Sequence, residues 1–360
     1  MIGDEMYTVN EYRQFRQFYS SLKGGSPRFY IYFSTGLMFW FFKCKSFLPS
    51  NLQIIVIAAG LNQDEKIALE QYCNDSKFYI DKPCTDRDIW KLLFDINTTP
   101  YGWIDIDCFI FDASVFNSMT KLKDSTFANS YQTAKKGGSD FEVLLTPFLY
   151  INTSACAEIQ KQIPDLTPYC YSYESCYQNI ESRVIPPEWY PRIEKILPLN
   201  TYLYDEPNLL WPPFFDTLQL YQIMAMTMGY IVDTIMTEKA GAEVLHLGGS
   251  TLYSFDQLKR GESNMVNQQL KEHLHRHHYT SDNVSVVNVK NISKLIVANA
   301  ILSEYKSCLP SCYNLTHRVV RMTLLKFGIG PDQYQEFLQK EAMKHPNFGE
   351  MLEKLKLRWE

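Results

Sequence analysis

The chain lacks an apolar run long enough to cross a bilayer. Its longest, Phe29 to Phe42, is interrupted by Ser34-Thr35-Gly36 and falls short of the roughly 20 residues a spanning helix needs. Positive charge is not in excess either: 35 Lys and Arg stand against 40 Asp and Glu, a formal net charge of -5. That balance argues against a nucleic-acid partner, which is usually held by a basic face or stripe. Met1 to Glu5 carry no basic-then-apolar leader, so the expected location is the cytoplasm. Paired cysteines are missing as well. The nine cysteines are odd in number and scattered through apolar runs, which predicts reduced, buried thiols. Cys308-Leu-Pro-Ser-Cys312 is the one close pair, and without a second pair or spaced histidines it is a weak zinc signal.

What is present is patterned apolar sequence. Residues 6–22 have helical spacing and end at Lys23-Gly24-Gly25-Ser26-Pro27. Strand-like runs at Phe29 to Phe33, Leu52 to Ala58, Phe78 to Ile80 and Trp103 to Phe111 then alternate with helical segments at Leu37 to Phe47, Asp64 to Asn74 and Asp86 to Ile96. Such alternation predicts βαβ units: an α/β fold with a mostly parallel sheet flanked by helices. Further on, the pattern predicts a strand within 141–153, irregular chain over 160–213, a Met-rich helix over 217–228 ending at Gly229, and strands at Tyr230 to Ile235 and Glu243 to Leu247. From about Phe255 the chain reads as mainly helical.

Open α/β sheets bind ligands outside the carboxyl ends of their strands. Three polar strand ends therefore become candidates together: Ser34-Thr35-Gly36, Gly60-Leu61-Asn62 and Asp105-Ile106-Asp107. On a continuous strand Asp105 and Asp107 point the same way. Two repelling carboxylates are best tolerated there when a hard divalent cation, Mg²⁺ or Mn²⁺, sits between them and a phosphate. Far downstream, Val244-Leu245-His246-Leu247-Gly248-Gly249 adds an imidazole suited to the same metal and a glycine turn able to bind an anion through its N–H groups. Asp216, at the start of the Met-rich helix, suits both an N-cap and a general base. Arg87, early in the helix before the Asp-x-Asp segment, is either a diphosphate contact or a solvated cation.

In motif order residues 28–255 resemble the GT-A-fold nucleotide-sugar-dependent glycosyltransferases, with a GT-A-like, Rossmann-type sheet. The resemblance implies a sugar-transferring enzyme of the hexosyltransferase type in which Asp105, Asp107 and His246 hold Mn²⁺ or Mg²⁺ against the donor's diphosphate. It further implies donor contacts from Thr35, Gly36, Asn62, Arg87, Asp105, Gly248 and Gly249, and Asp216 as the base that activates an acceptor hydroxyl. The acceptor class, whether glycan, lipid-linked or protein, is left open. The second strand departs from the family, ending in Ala58-Ala59-Gly60-Leu61-Asn62 without an acid. The expected organisation is an N-terminal helix (1–27), the GT-A-like domain (28–255) and a mainly helical C-terminal region (256–360).

Two alternatives stand beside this one. A GT-A-like module could bind nucleotide or glycan without turnover. Phe109-Ile110-Phe111-Asp112-Ala113-Ser114 faintly resembles a haloacid-dehalogenase-like phosphatase motif, without its second acid. His273, His275, His277 and His278 read as an exposed polar helix end, and the basic amphipathic run Arg318 to Lys326 as a face suited to peripheral membrane contact or to packing.

Overall fold

The computed structural model describes residues 9–22, 24, 27–35, 37–110, 112–135, 141–169, 171–172, 184–197, 214–235 and 244–246. In chain order its elements are α1 (Val9–Ser21), β1 (Arg28–Ser34), α2 (Met38–Ser46), β2 (Gln53–Ala59), α3 (Gln63–Tyr72), β3 (Ser76–Ile80), α4 (Asp86–Ile96), β4 (Tyr101–Ile104), β5 (Cys108–Ile110), α5 (Val115–Met119), β6 (Thr126–Ser130), β7 (Thr133–Lys135), β8 (Glu142–Leu144), β9 (Phe148–Ile151), α6 (Thr153–Gln162), β10 (Tyr171–Ser172), α7 (Tyr190–Ile193), β11 (Phe214–Phe215), α8 (Gln219–Thr227), β12 (Ile231–Thr234) and β13 (Val244–His246). They fall into two compact units. The first takes in Met1–Thr35, Pro49–Asp105 and Ala113–Thr237; in the second, the described elements are α2, β5 and β13.

The first unit is built on a seven-stranded sheet of order β12-β6-β9-β4-β1-β2-β3. β1 and β2 read as near-continuous apolar runs because a parallel strand covered on both faces has no wet side; they pair in parallel from Arg28 opposite Gln53 to Ser34 opposite Ala59. β3 and β4 add in parallel on either side, so the carboxyl ends of β4, β1, β2 and β3 share one edge. The expected mostly parallel α/β sheet is borne out. It is mixed, however: β9 runs antiparallel to both β4 and β6.

On one face, Phe29 packs against Phe116, Phe148 and Tyr150 with ring centroids 5.1, 6.0 and 5.4 Å away. This packing requires glycine on the neighbouring strand, since a Cβ on Gly102 would lie 2.0 Å from the Phe29 ring. The N-terminal helix docks through Phe15, which is fully buried and meets Phe78 edge-on at 4.9 Å.

Several expectations are corrected. The single strand expected from Trp103 to Phe111 is two: β4 lies in the main sheet, the chain turns at Ile106-Asp107, and β5 pairs with β13 instead. Apolar residues on both sides of a turn look the same in sequence as one strand. The strand expected within 141–153 is likewise split into β8 and β9 around Pro147, followed by the unexpected helix α6, which Asn152 caps through Ser154 N–H and Ala155 N–H. Pro147 sits in the turn that precedes β9, which is a central strand of the sheet. β6, sequence Thr-Phe-Ala-Asn-Ser, was not anticipated because too few of its side chains are apolar, although all five residues are buried. Among the described residues no helix is long and apolar enough to cross a membrane. Cys308 to Cys312, the histidine cluster at 273–278 and the Arg318 to Lys326 run lie outside the described residues.

Candidate active site

The carboxyl edge of the first unit carries Asp105. Leaving β4, its N–H donates to Pro147 O at 2.8 Å, and the Trp103 indole Nε1–H donates to Asp105 Oδ1. Trp103 is itself held: it is 2% exposed, with Trp90 at 4.5 Å and Tyr32 stacked at 6.5 Å between ring centroids. A carboxylate whose one oxygen is fixed by a buried donor is oriented before any ligand arrives. The strand argument that placed Asp105 and Asp107 on one face does not apply, because Ile106 and Asp107 are in a turn.

Thr35 and Asn62, at the ends of β1 and β2, are tied together by a residue not singled out from the sequence. Glu65 Oε2 accepts from Thr35 Oγ1–H at 2.7 Å and from Asn62 N–H at 3.0 Å, while Asn62 Oδ1 accepts from Glu65 N–H at 2.9 Å. The last two bonds form a capping box that starts α3. Its signal, an Asn with Glu three residues later, is present in the sequence. Directly after β2 Gly60 turns at φ +63°, with room for no side chain: a Cβ would lie 2.6 Å from Pro83.

Arg87 is exposed on the first turn of α4. Beside it the Asp86 carboxyl is held above the ordinary carboxylate range, first by the protein packed around it; the Arg87 amide and guanidinium pull the other way, and the charge of Asp216 adds to the rise. Asp86 keeps an exposed face, so solvent screens this effect. The mutual influence nonetheless puts Asp86, Arg87 and Asp216 within electrostatic reach at one edge of the unit.

Asp216 does not cap the helix it was expected to cap. The α8 N-cap is Leu218, a buried non-glycine residue in the left-handed region at φ 65°. Asp216 Oδ1 instead accepts from Thr217 N–H at 2.8 Å, and its own N–H donates to Gln219 Oε1 at 3.0 Å. The left-handed turn inserts two residues between Asp216 and the first helical residue, which carries the carboxylate out of cap position and leaves it exposed.

In the second unit, β13 pairs antiparallel with β5: Val244 opposite Ile110, Leu245 opposite Phe109, His246 opposite Cys108. This register seats His246 next to the residue that follows Asp107, and His246 Nε2 lies 3.3 Å from Asp107 Oδ1. Asp107 is 4% exposed. The pair is anchored from below by Cys44 Sγ–H donating to Cys108 O at 3.3 Å and by Phe47 against Phe109 at 5.2 Å. Gly36, Gly248 and Gly249 lie outside the described residues.

Residues 6–156 match the StrH glycosyltransferase N-terminal domain. Among curated proteins, the dTDP-dihydrostreptose–streptidine-6-phosphate dihydrostreptosyltransferase of Streptomyces griseus is 24% identical over 161 residues, 44% of this chain. The match spans 41% of that relative's length. The expected likeness to glycosyltransferases is therefore borne out over the N-terminal part of the chain. Similar solved structures include the apo-form glycosyltransferase GlyE of Streptococcus pneumoniae TIGR4 (9% identity, 54% of each chain, TM-score 0.31). Another is the apo WbbM bifunctional glycosyltransferase (8% identity, 39% of this chain and 35% of that one, TM-score 0.30). At such scores the superpositions settle neither fold nor function.

The StrH-like stretch contains Thr35, Gly36, Asn62, Arg87, Asp105 and Asp107, whereas Asp216, His246, Gly248 and Gly249 lie beyond it.

Proposed function

We propose that the chain is a glycosyltransferase that moves a sugar from a nucleotide-diphosphate donor to an acceptor hydroxyl, with Mn²⁺ or Mg²⁺ held by Asp105, Asp107 and His246. The observation that carries this reading is the Asp107–His246 pair, a nearly buried carboxylate with an imidazole 3.3 Å away, two residues along the chain from an Asp105 clamped by Trp103. Two hard carboxylates and a neutral imidazole form a donor set that fits either cation. Such an ion supplies charge neutralisation for the departing diphosphate.

In this reading the chain's own groups do the rest. Trp103 holds Asp105 in its ligating orientation, Arg87 meets the diphosphate as a second cation, and Gly248 and Gly249 give backbone N–H groups to a phosphate. Thr35, Gly36 and Asn62 line the nucleoside side. The Asn62 carbonyl is committed to its cap, so its amide N–H groups are what it presents. Asp216, exposed and beyond the cap of α8, takes the proton of the acceptor hydroxyl. A dTDP-sugar, the donor type in the name of the Streptomyces griseus relative, is the first donor to test. A cytoplasmic location belongs to the same reading.

The experiment is transfer and hydrolysis of a nucleotide-sugar panel, with and without Mn²⁺, on the full chain. Turnover is expected to require the cation and to fall to background in Asp105→Ala and Asp107→Ala. Equal, metal-independent activity in both variants overturns the proposal. The β2 end, with no acid at Gly60-Leu61-Asn62, favours one second reading, a non-catalytic nucleotide- or glycan-binding module. Saturable nucleotide binding with no turnover on any acceptor would select it.

A further inference from the structure

The amino-terminal edge of the same sheet has a cavity of its own. It measures about 400 Å³ and is lined in the first unit by Arg28, Thr99, Pro100, Thr120, Leu122 and Tyr150. Arg28 and Tyr101 open the paired strands β1 and β4, so this cavity lies at the opposite end of β4 from Asp105. At ~3.3 Å per strand residue, Tyr101 and Asp105 are about 13 Å apart.

Arg28 is 7% exposed, and its Nη1 has no hydrogen-bond partner. A guanidinium stays protonated at any physiological pH, so this is a buried charge, and burying one is costly unless it is paired. Among the described residues no carboxylate lies within 4 Å of it, and its surroundings are aromatic: the guanidinium carbon sits 5.0 Å above the Tyr19 ring. Burial holds the Tyr30 and Tyr150 phenols above their ordinary value, so neither supplies a negative charge. The Lys23-Gly24-Gly25-Ser26-Pro27 segment that leads into β1 contains no acid. The face of the Tyr19 ring offsets part of this charge, and an anion would offset more of it.

We propose that this cavity binds the phosphate group of a small molecule, with Arg28 as its charge partner. Phosphate is preferred to carboxylate because the cavity wall offers hydroxyls on separate elements, Thr99 before β4 and Tyr150 on β9. Among the described residues the Tyr150 hydroxyl is held by one 3.2 Å bond, to Pro100 O. A tetrahedral oxyanion accepts hydrogen bonds from several directions at once, whereas a planar carboxylate presents two oxygens in one plane. The volume exceeds what inorganic phosphate needs, which leaves room for an attached hexose-sized body. The inference is independent of the donor site.

The test is thermal unfolding of the full chain with EDTA and without nucleotide sugar, titrated with inorganic phosphate in one arm and glucose 6-phosphate in the other. Saturable stabilisation in at least one arm, absent in Arg28→Met, is the expected result; the stronger arm tells a free ion from a phosphoester. Should Arg28→Met fail to fold, Leu122→Trp fills the cavity with the guanidinium retained, and the stabilisation should vanish there too. No stabilisation by either probe, or shifts as large in the variants as in the parent, overturns the proposal.

Discussion

His246 Nε2 stands 3.3 Å from Asp107 Oδ1, and the contact depends on a three-residue antiparallel ladder between β13 and β5. Asp107 is almost fully buried while His246 keeps about a quarter of its side chain in solvent. Removing the imidazole takes one partner from a buried carboxylate, so His246→Ala should cost about 1–3 kcal/mol in metal-free protein. Urea unfolding in EDTA measures this. A variant as stable as the parent would show that the pair contributes nothing without a ligand.

Trp103→Phe keeps an aromatic ring between Trp90 and Tyr32 but removes the indole N–H that Asp105 accepts. If Asp105 ligates a cation, Mn²⁺ affinity should drop roughly 10–100-fold, the usual effect of losing a group that orients a ligand, on top of the about 1–3 kcal/mol of stability that a smaller ring loses at this buried position. Calorimetric titration of Mn²⁺ decides it; unchanged affinity would remove the indole from the site.

Leu218 combines full burial with a left-handed backbone at φ 65°. A left-handed L-residue costs about 1–2 kcal/mol, and truncating a buried leucine about 2–5 kcal/mol. Leu218→Ala and Leu218→Gly should therefore both destabilise, with the glycine variant the more stable by about 1 kcal/mol because it alone relieves the backbone. Chemical denaturation of the two proteins side by side tests this ordering. Alanine proving the more stable would mean that the turn relaxes out of the left-handed region.

The Cys84 thiol is pushed up to about 12, first by burial, with its contact to the Tyr32 hydroxyl pulling down and the charges of Asp88, Glu11 and Asp86 pushing further up. At pH 8 its thiolate should be roughly a thousandfold scarcer than that of an unperturbed cysteine, since the thiolate is the reactive form. Mass spectrometry after iodoacetamide treatment should find Cys84 unmodified in the native protein and modified in urea. The sign for stability follows from proton counting. Between pH 9, where the unfolded thiol ionises, and about 12, the folded state binds the extra proton, so this group's contribution to stability falls as pH rises through that window. Cys84→Ala should flatten the alkaline slope.

Much of this architecture was open to reading in the linear chain. Buried parallel strands have to be apolar throughout, which made β1 and β2 visible; the Asn62 and Glu65 spacing holds a capping signal for α3, though it was not used; and the Asp-x-Asp segment stood at a strand end where α/β sheets take their ligands. These are properties of residues within a few positions of one another, governed by backbone sterics and local hydrogen bonds.

The three-dimensional arrangement decided the rest. Apolar residues from Trp103 to Phe111 do not say where one strand stops, because the break after Ile104 depends on β4 finding β1 and β9 while β5 finds β13. Asp216 fits a cap by sequence, yet it is displaced by a left-handed Leu218 whose strain is held by burial. Glycine at 102 is explained only by the ring of Phe29 on the next strand, and the seat of the Arg28 guanidinium only by the ring of Tyr19 on the N-terminal helix. In each case the deciding partner is distant in sequence, and close packing in the folded core, rather than local preference, selects it.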